Sequence, residues 1–151
     1  MTNDASLDSR RPDTAGDTAQ PLATLEVFDV SEFPLVIALN DAIVAGYAPR
    51  WERDMNVLVQ QDRPFVLLFV SPRPEEPHED RKHRGLWLKQ HKDDLARVCK
   101  ALITVEPDAQ EREASNANAA AMSKAFGMPL EAIATLAEAK ERGLRLVAAG
   151  D

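Results

Sequence analysis

Three histidines, His78, His83 and His91, fall in one segment together with Glu75, Glu76, Glu79 and Asp80. Imidazoles and carboxylates are the ordinary ligands of zinc, and Glu79 with His83 has the i, i+4 spacing that puts two ligands on one helix face. At 100° per residue, however, His78 and His83 point about 140° apart and His91 about 80° from His83. They do not converge, and no Cys pair or His-x-x-x-His supplies the missing ligands. No metal centre is expected, and the histidines read as ordinary surface or core residues. Cys99 is the single cysteine, and only Lys100 beside it would favour a thiolate, so it reads as an inert core thiol. The chain has no Ser-His-Asp order, Walker pattern or glycine-rich phosphate loop, and its six glycines are scattered. Neither a catalytic residue nor a cofactor is therefore expected, because phosphate-binding loops need glycine where backbone meets phosphate.

The same helical segment has a core-facing arc made by Trp87, Leu88, Leu95 and Val98, and Asp80, Arg84 and His91 fall inside it. Polar groups there need partners. Asp80 and Arg84 are i, i+4 neighbours suited to pairing, and His91 is placed to bond a backbone carbonyl or a carboxylate near Trp87. One reading is a satisfied polar rim on a packed helix. The other is a cleft at the carboxyl end of a sheet, lined by Asp80, Arg84, Ser71 and Arg73, with the two arginines holding a carboxylate or phosphate. Leu86 points almost opposite, among Lys82, Gly85, Lys89 and Asp93, and matters only if it joins an apolar patch. The candidate binding residues are thus Ser71, Arg73, Asp80, Arg84, Leu86 and His91. Further on, Ala114, Ala117, Ala119, Ala120, Ala121 and Ala125 accompany Met122 and Phe126, with Asn118 near the middle of the small-residue face. That face reads as intramolecular packing, with Asn118 bonding a neighbouring backbone, or as the seam of a homodimer.

The element that must position these residues is Pro64-Phe65-Val66-Leu67-Leu68-Phe69-Val70, a run with no polar side chain. Its length and composition suit a strand covered on both faces, at the middle of a largely parallel sheet. Before it, Leu25 to Val30 and Leu35 to Leu39 read as a hairpin turning at Ser31-Glu32-Phe33-Pro34. Pro49 then opens a helix with Trp51, Met55, Leu58 and Val59 on one stripe. After it, Pro77 opens a helix running to about Val98, followed by a strand over 101–105. A capping box at Asp108 and Glu111 starts a helix that Gly127 ends, and Leu130 to Ala134 forms a short strand. A second capping box at Thr135 and Glu138 starts a last helix, which Gly143 should terminate. The order is ββαβαβαβα: one α/β domain with a mostly parallel sheet, an N-terminal hairpin and helices packed on the sheet. Residues 1–23 are polar, aperiodic and expected to be disordered, the domain covers 24–144, and 145–151 read as a tail.

The 151 residues carry a net charge of −7 and a pI near 5.0, which argues against a nucleic-acid or anionic-membrane surface. The lone cysteine, the absence of a signal-peptide pattern and the lack of an apolar run of about 20 residues predict a soluble, cytoplasmic protein.

In element order the chain resembles the STAS-like fold of anti-anti-sigma factors and the SpoIIAA-like proteins. The likeness covers about Thr24 to Leu144 and rests on that order and on the following features. These are the hairpin with Pro34 leading into Leu35-Val36-Ile37, the charged helix after the buried strand, the Thr135-Leu136-Ala137-Glu138-Ala139 turn, and the terminal helix. Phosphoregulated members carry an Asp-Ser pair in the loop after the third strand. Here that loop reads Ser71-Pro72-Arg73-Pro74-Glu75-Glu76-Pro77 and lacks the pair, since Val70 precedes Ser71. The resemblance implies a non-catalytic regulatory or interaction module that binds a protein partner or its own copy, with 71–78 and the second helix as the working surface. Two rivals stand beside it: a small-molecule binder or small enzyme using Arg73, Asp80, Arg84 and His91, and an accessory subunit of a larger complex.

Overall fold

Strand β3, Phe65–Val70, lacks polar side chains because both of its faces are covered. In a computed structural model describing residues 22–72 and 74–149, it is the middle strand of a five-stranded sheet. The expected disorder of the N-terminal residues falls on 1–21, outside the described residues, as does Arg73. The other strands are β1 (Phe28–Glu32), β2 (Leu35–Ala38), β4 (Cys99–Val105) and β5 (Leu130–Ile133), in the order β1-β2-β3-β4-β5. β1 and β2 form the expected antiparallel hairpin, and the remaining pairs are parallel. The helices are α1 (Ala48–Gln60), α2 (His78–Gln90), α3 (Lys92–Val98), α4 (Ala109–Phe126) and α5 (Leu136–Ala149). This is the α/β architecture read from the sequence.

Because each parallel crossover steps to the next strand in the same direction, right-handed connections send α1, α2, α3 and α4 to one side of the sheet. The core divides accordingly. Phe65, Leu67 and Phe69 pack with Trp51, Met55, Leu58, Trp87, Leu95 and Val98, whereas Val66 and Leu68 join Leu35, Ala101, Ile103, Val105 and Ala139 beneath α5. On β4 the two faces differ: Ala101, Ile103 and Val105 are buried under α5, but Leu102 and Thr104 on the opposite face are only half-buried.

Two helix boundaries depart from the sequence reading. The helix expected from Pro77 to Val98 breaks at His91 (φ −116°, ψ 20°), whose ring Nδ1 lies 2.9 Å from the Trp87 carbonyl that its own N–H also uses. And α5 does not stop at Gly143. It starts as read, with Thr135 Oγ1 accepting the Glu138 N–H at 3.1 Å, but continues to Ala149, placing Leu146 and Val147 on the core. Gly143 marks where the helix lies closest to the sheet. A Cβ built there would sit 2.8 Å from Val66 Cγ2 and 2.9 Å from Leu35 Cδ2.

Candidate functional site

The polar arc of α2 is spent on holding the helical layer together. Asp80 is buried, and its carboxylate accepts the Gly46 N–H at 2.9 Å and the Ala48 N–H at 3.1 Å. It thereby caps α1, whose preceding residue Tyr47 makes no side-chain cap bond, and sets a negative charge at the positive end of that helix. The Asp80–Arg84 pairing suggested by their spacing does not form. Arg84 instead donates two bonds to Glu76, one of them from Nε at 2.9 Å, while the Tyr47 hydroxyl donates to the same carboxylate at 2.6 Å. Burial works to raise the Glu76 carboxyl. The hydrogen bonds from Arg84 and Tyr47 and the charges of Arg84 and Arg81 outweigh it and hold the group below its ordinary value. The Arg84 guanidinium also lies 5.6 Å from the Trp51 ring, which meets Trp87 edge-on at 5.3 Å.

Asp80→Ala should lower the unfolding free energy by about 2 kcal/mol, since two buried backbone N–H groups lose a charged acceptor. Urea denaturation measures this, and recovery of about half the loss in Asp80→Asn, which keeps one acceptor, separates capping from packing.

Next to this layer α4 stands off from the sheet. It has no buried residue. Phe126 at its end packs on the core, and the rest of its attachment is polar: the Asn116 side chain donates to the Ala132 carbonyl at 3.1 Å and accepts the Ala132 N–H at 2.9 Å, and Ser123 Oγ accepts the Leu130 N–H at 2.9 Å. Asn116 and Ser123 are seven residues apart and share one helix face, so they satisfy the outward backbone groups of edge strand β5, a row that would otherwise invite strand pairing. The adjacent stripe of α4, Ser115, Asn118, Ala119, Met122 and Phe126, faces a cavity of about 540 Å³. Its floor is Leu67 and Phe69 from β3, Leu102 and Thr104 from β4, and Leu130 and Ala132 from β5. The far wall is Trp51 and Met55 of α1, Arg84 and Leu88 of α2, and Leu95 of α3. The half-burial of Leu102 and Thr104 on a central strand is the floor of this cavity seen from the sheet.

Of the five described residues among the six named from the sequence, Arg84 alone lines the cavity. Asp80 caps α1. Ser71 Oγ donates to Glu106 Oε1 at 2.7 Å at the carboxyl end of the sheet. His91 bonds the Trp87 carbonyl, as its position suggested, and stacks on the Trp87 ring at 4.4 Å. Leu86 is 57% exposed, Arg73 lies outside the described residues, and Ser71, Asp80 and Arg84 each bond a different partner, Glu106, the start of α1 and Glu76. His83 Nε2 lies 2.6 Å from Glu52 Oε1. Among the described residues, no three His, Cys, Asp or Glu side chains gather as a metal site. Cys99 is buried and its thiol is pushed up to about 12 by that burial, which leaves it unreactive at neutral pH.

The sequence reading missed Asn116, whose two bonds to Ala132 tie α4 to β5, while Asn118 bonds a neighbouring backbone as expected, the Ala114 carbonyl one turn back in its own helix, at 3.4 Å. It also missed Asp54, a fully buried carboxylate whose Oδ2 accepts the Glu26 and Val27 N–H groups at 2.9 and 2.6 Å, fastening the chain before β1 to α1. Burial raises its pKa against the pull of those bonds. The signal was present, since Asp54 falls on the stripe of Trp51, Met55 and Leu58. Among the described residues no helix is long and apolar enough to cross a membrane. Comparisons with protein-family models, curated proteins and solved structures found no match to this chain.

Proposed function

We propose that this chain is a non-catalytic binding module whose working site is the cavity between the sheet and α4. One observation carries the reading: a concave, mostly apolar space of about 540 Å³, within the roughly 300–1,000 Å³ range of small-molecule sites. Its lining adds a few polar groups, Arg84, Thr104, Ser115, Asn118 and Glu131, to a wall of aromatic, thioether and aliphatic side chains. Such a set orients a ligand and offers no activated nucleophile. The resemblance in element order to STAS-like proteins favours binding over reaction by analogy. Docking of a protein partner through α2 has less support, because Leu86 is flanked by exposed Lys82, Gly85 and Lys89 and forms no apolar patch with them.

A titration with Nile red, an uncharged dye whose emission shifts to the blue in apolar surroundings, tests this reading. The protein should bind it with one-to-one stoichiometry. Ala119→Trp, which fills the cavity from α4, should weaken binding at least about tenfold, the equivalent of 1.4 kcal/mol, while leaving the thermal midpoint unchanged or higher. Equal binding by the two proteins would place the dye elsewhere and remove the proposal.

A further inference from the structure

Resting on that reading, we infer that the cavity takes an uncharged, largely hydrocarbon molecule carrying a hydroxyl or carbonyl group. The charged side chains of the lining are already paired. Arg84 is held by two bonds to Glu76, and Glu131 accepts three bonds from Arg142, two from Nε at 3.0 and 3.3 Å and one from Nη2 at 2.8 Å. An anionic ligand would have to draw Arg84 away from Glu76, leaving that carboxylate, 10% exposed, without its hydrogen-bonded cation, or would lie unpaired among apolar groups. Either costs more than a neutral ligand of the same size pays. A cationic ligand meets the same obstacle at Glu131.

One polar group of the floor remains unspent. Thr104 lies on β4 between half-buried Leu102 and the end of the strand, and its hydroxyl has no hydrogen-bond partner among the described residues. Thr104 therefore meets the ligand's hydroxyl or carbonyl, and the aromatic and methionine side chains receive the hydrocarbon body. Trp51, Met55, Met122, Phe126 and Met128 form an adaptable wall, since unbranched thioethers repack around different shapes.

The test is a calorimetric titration of the whole protein at pH 8 with 1-decanol, decanoate and toluene. Decanol should bind at least roughly tenfold more tightly than decanoate, which differs in carrying a charge. Thr104→Val, close in shape but without the hydroxyl, should weaken decanol roughly three- to tenfold and leave toluene unchanged. Decanoate binding as tightly as decanol or more so would overturn the ligand class while leaving a binding module. Equal loss of toluene and decanol in Thr104→Val would overturn the role of Thr104. If none of the three binds, the ligand class and the proposed function both fall.

Discussion

Replacing Arg84 by methionine is expected to lower the unfolding free energy by about 3 kcal/mol at pH 7, because breaking a buried ion pair leaves an uncompensated charge. Methionine keeps the apolar stem against Trp51, so the loss reports the guanidinium. The Arg84 and Glu76 side chains are 18% and 10% exposed, which places the effect at the lower end of the range for fully buried pairs. Its pH dependence identifies the cause. In the native protein Glu76 is held below its ordinary value of 4.5. The pair's contribution is therefore fully present above that value and is lost as pH falls through the lower, folded-state value. Without Arg84 the burial of Glu76 is opposed chiefly by the Tyr47 hydroxyl, and the carboxyl moves upward. The folded variant then binds its proton more tightly than the unfolded chain does, so its stability declines as pH rises. The difference between native and variant should shrink as pH falls from the variant's raised value through the native's lowered one, because a protonated Glu76 no longer needs a cation. Urea unfolding across that range measures it. A difference independent of pH would mean that Arg84 acts through packing alone.

The pair also shows where reading the chain stops being informative. Much that is local was legible: the uninterrupted apolar strand at Phe65–Val70, the caps at Asp108 and Thr135, the left-handed glycine at Gly127 with φ 77°. The wheel placed Asp80 and Arg84 on the correct face of α2, and His91 beside Trp87. It assigned their partners by proximity in sequence. Asp80 reaches the start of α1, more than thirty residues away, and Arg84 reaches back to Glu76 in the preceding loop. Those contacts depend on how α1 and α2 pack together, which no spacing rule within α2 contains. Asn116 and Asn118 make the same point on α4. They are polar breaks two residues apart in an alanine-rich helix, about 160° apart on the wheel, and only the position of β5 decides which of them faces a strand edge. The cavity is less legible still. It arises because α4 is fixed to β5 by polar bonds and leaves Leu102 and Thr104 uncovered, an arrangement whose sequence trace is no more than small residues where larger ones would have filled the space.

Gly143 is the case in which a sound local rule gave the wrong answer, and its substitution is the second large effect. Glycine near the end of an amphipathic run commonly stops a helix, and in an exposed helix interior it costs about 1 kcal/mol relative to alanine. At position 143 the helix continues, and the missing side chain is what lets α5 settle on β2 and β3. The atoms that a Cβ would meet at 2.8 and 2.9 Å belong to Val66 and Leu35, both buried. Val66 is stiff about its first side-chain torsion, so the contact is not relieved by a rotamer change. Gly143→Leu should therefore cost about 3 kcal/mol, the upper end of the usual overpacking penalty. Gly143→Ala should gain nothing, because its helix preference of about 1 kcal/mol is spent on the clash. Leu144→Ala, at a side chain 48% exposed on the same helix, should stay within about 0.5 kcal/mol and so controls for any general weakening of α5. Denaturant unfolding of the three variants measures the order. If Gly143→Ala proved stabilising by the full amount seen in exposed helices, α5 would not be pressed against the sheet at this point. The sheet would then lack the cover that makes an uninterrupted apolar strand at its centre physically sensible.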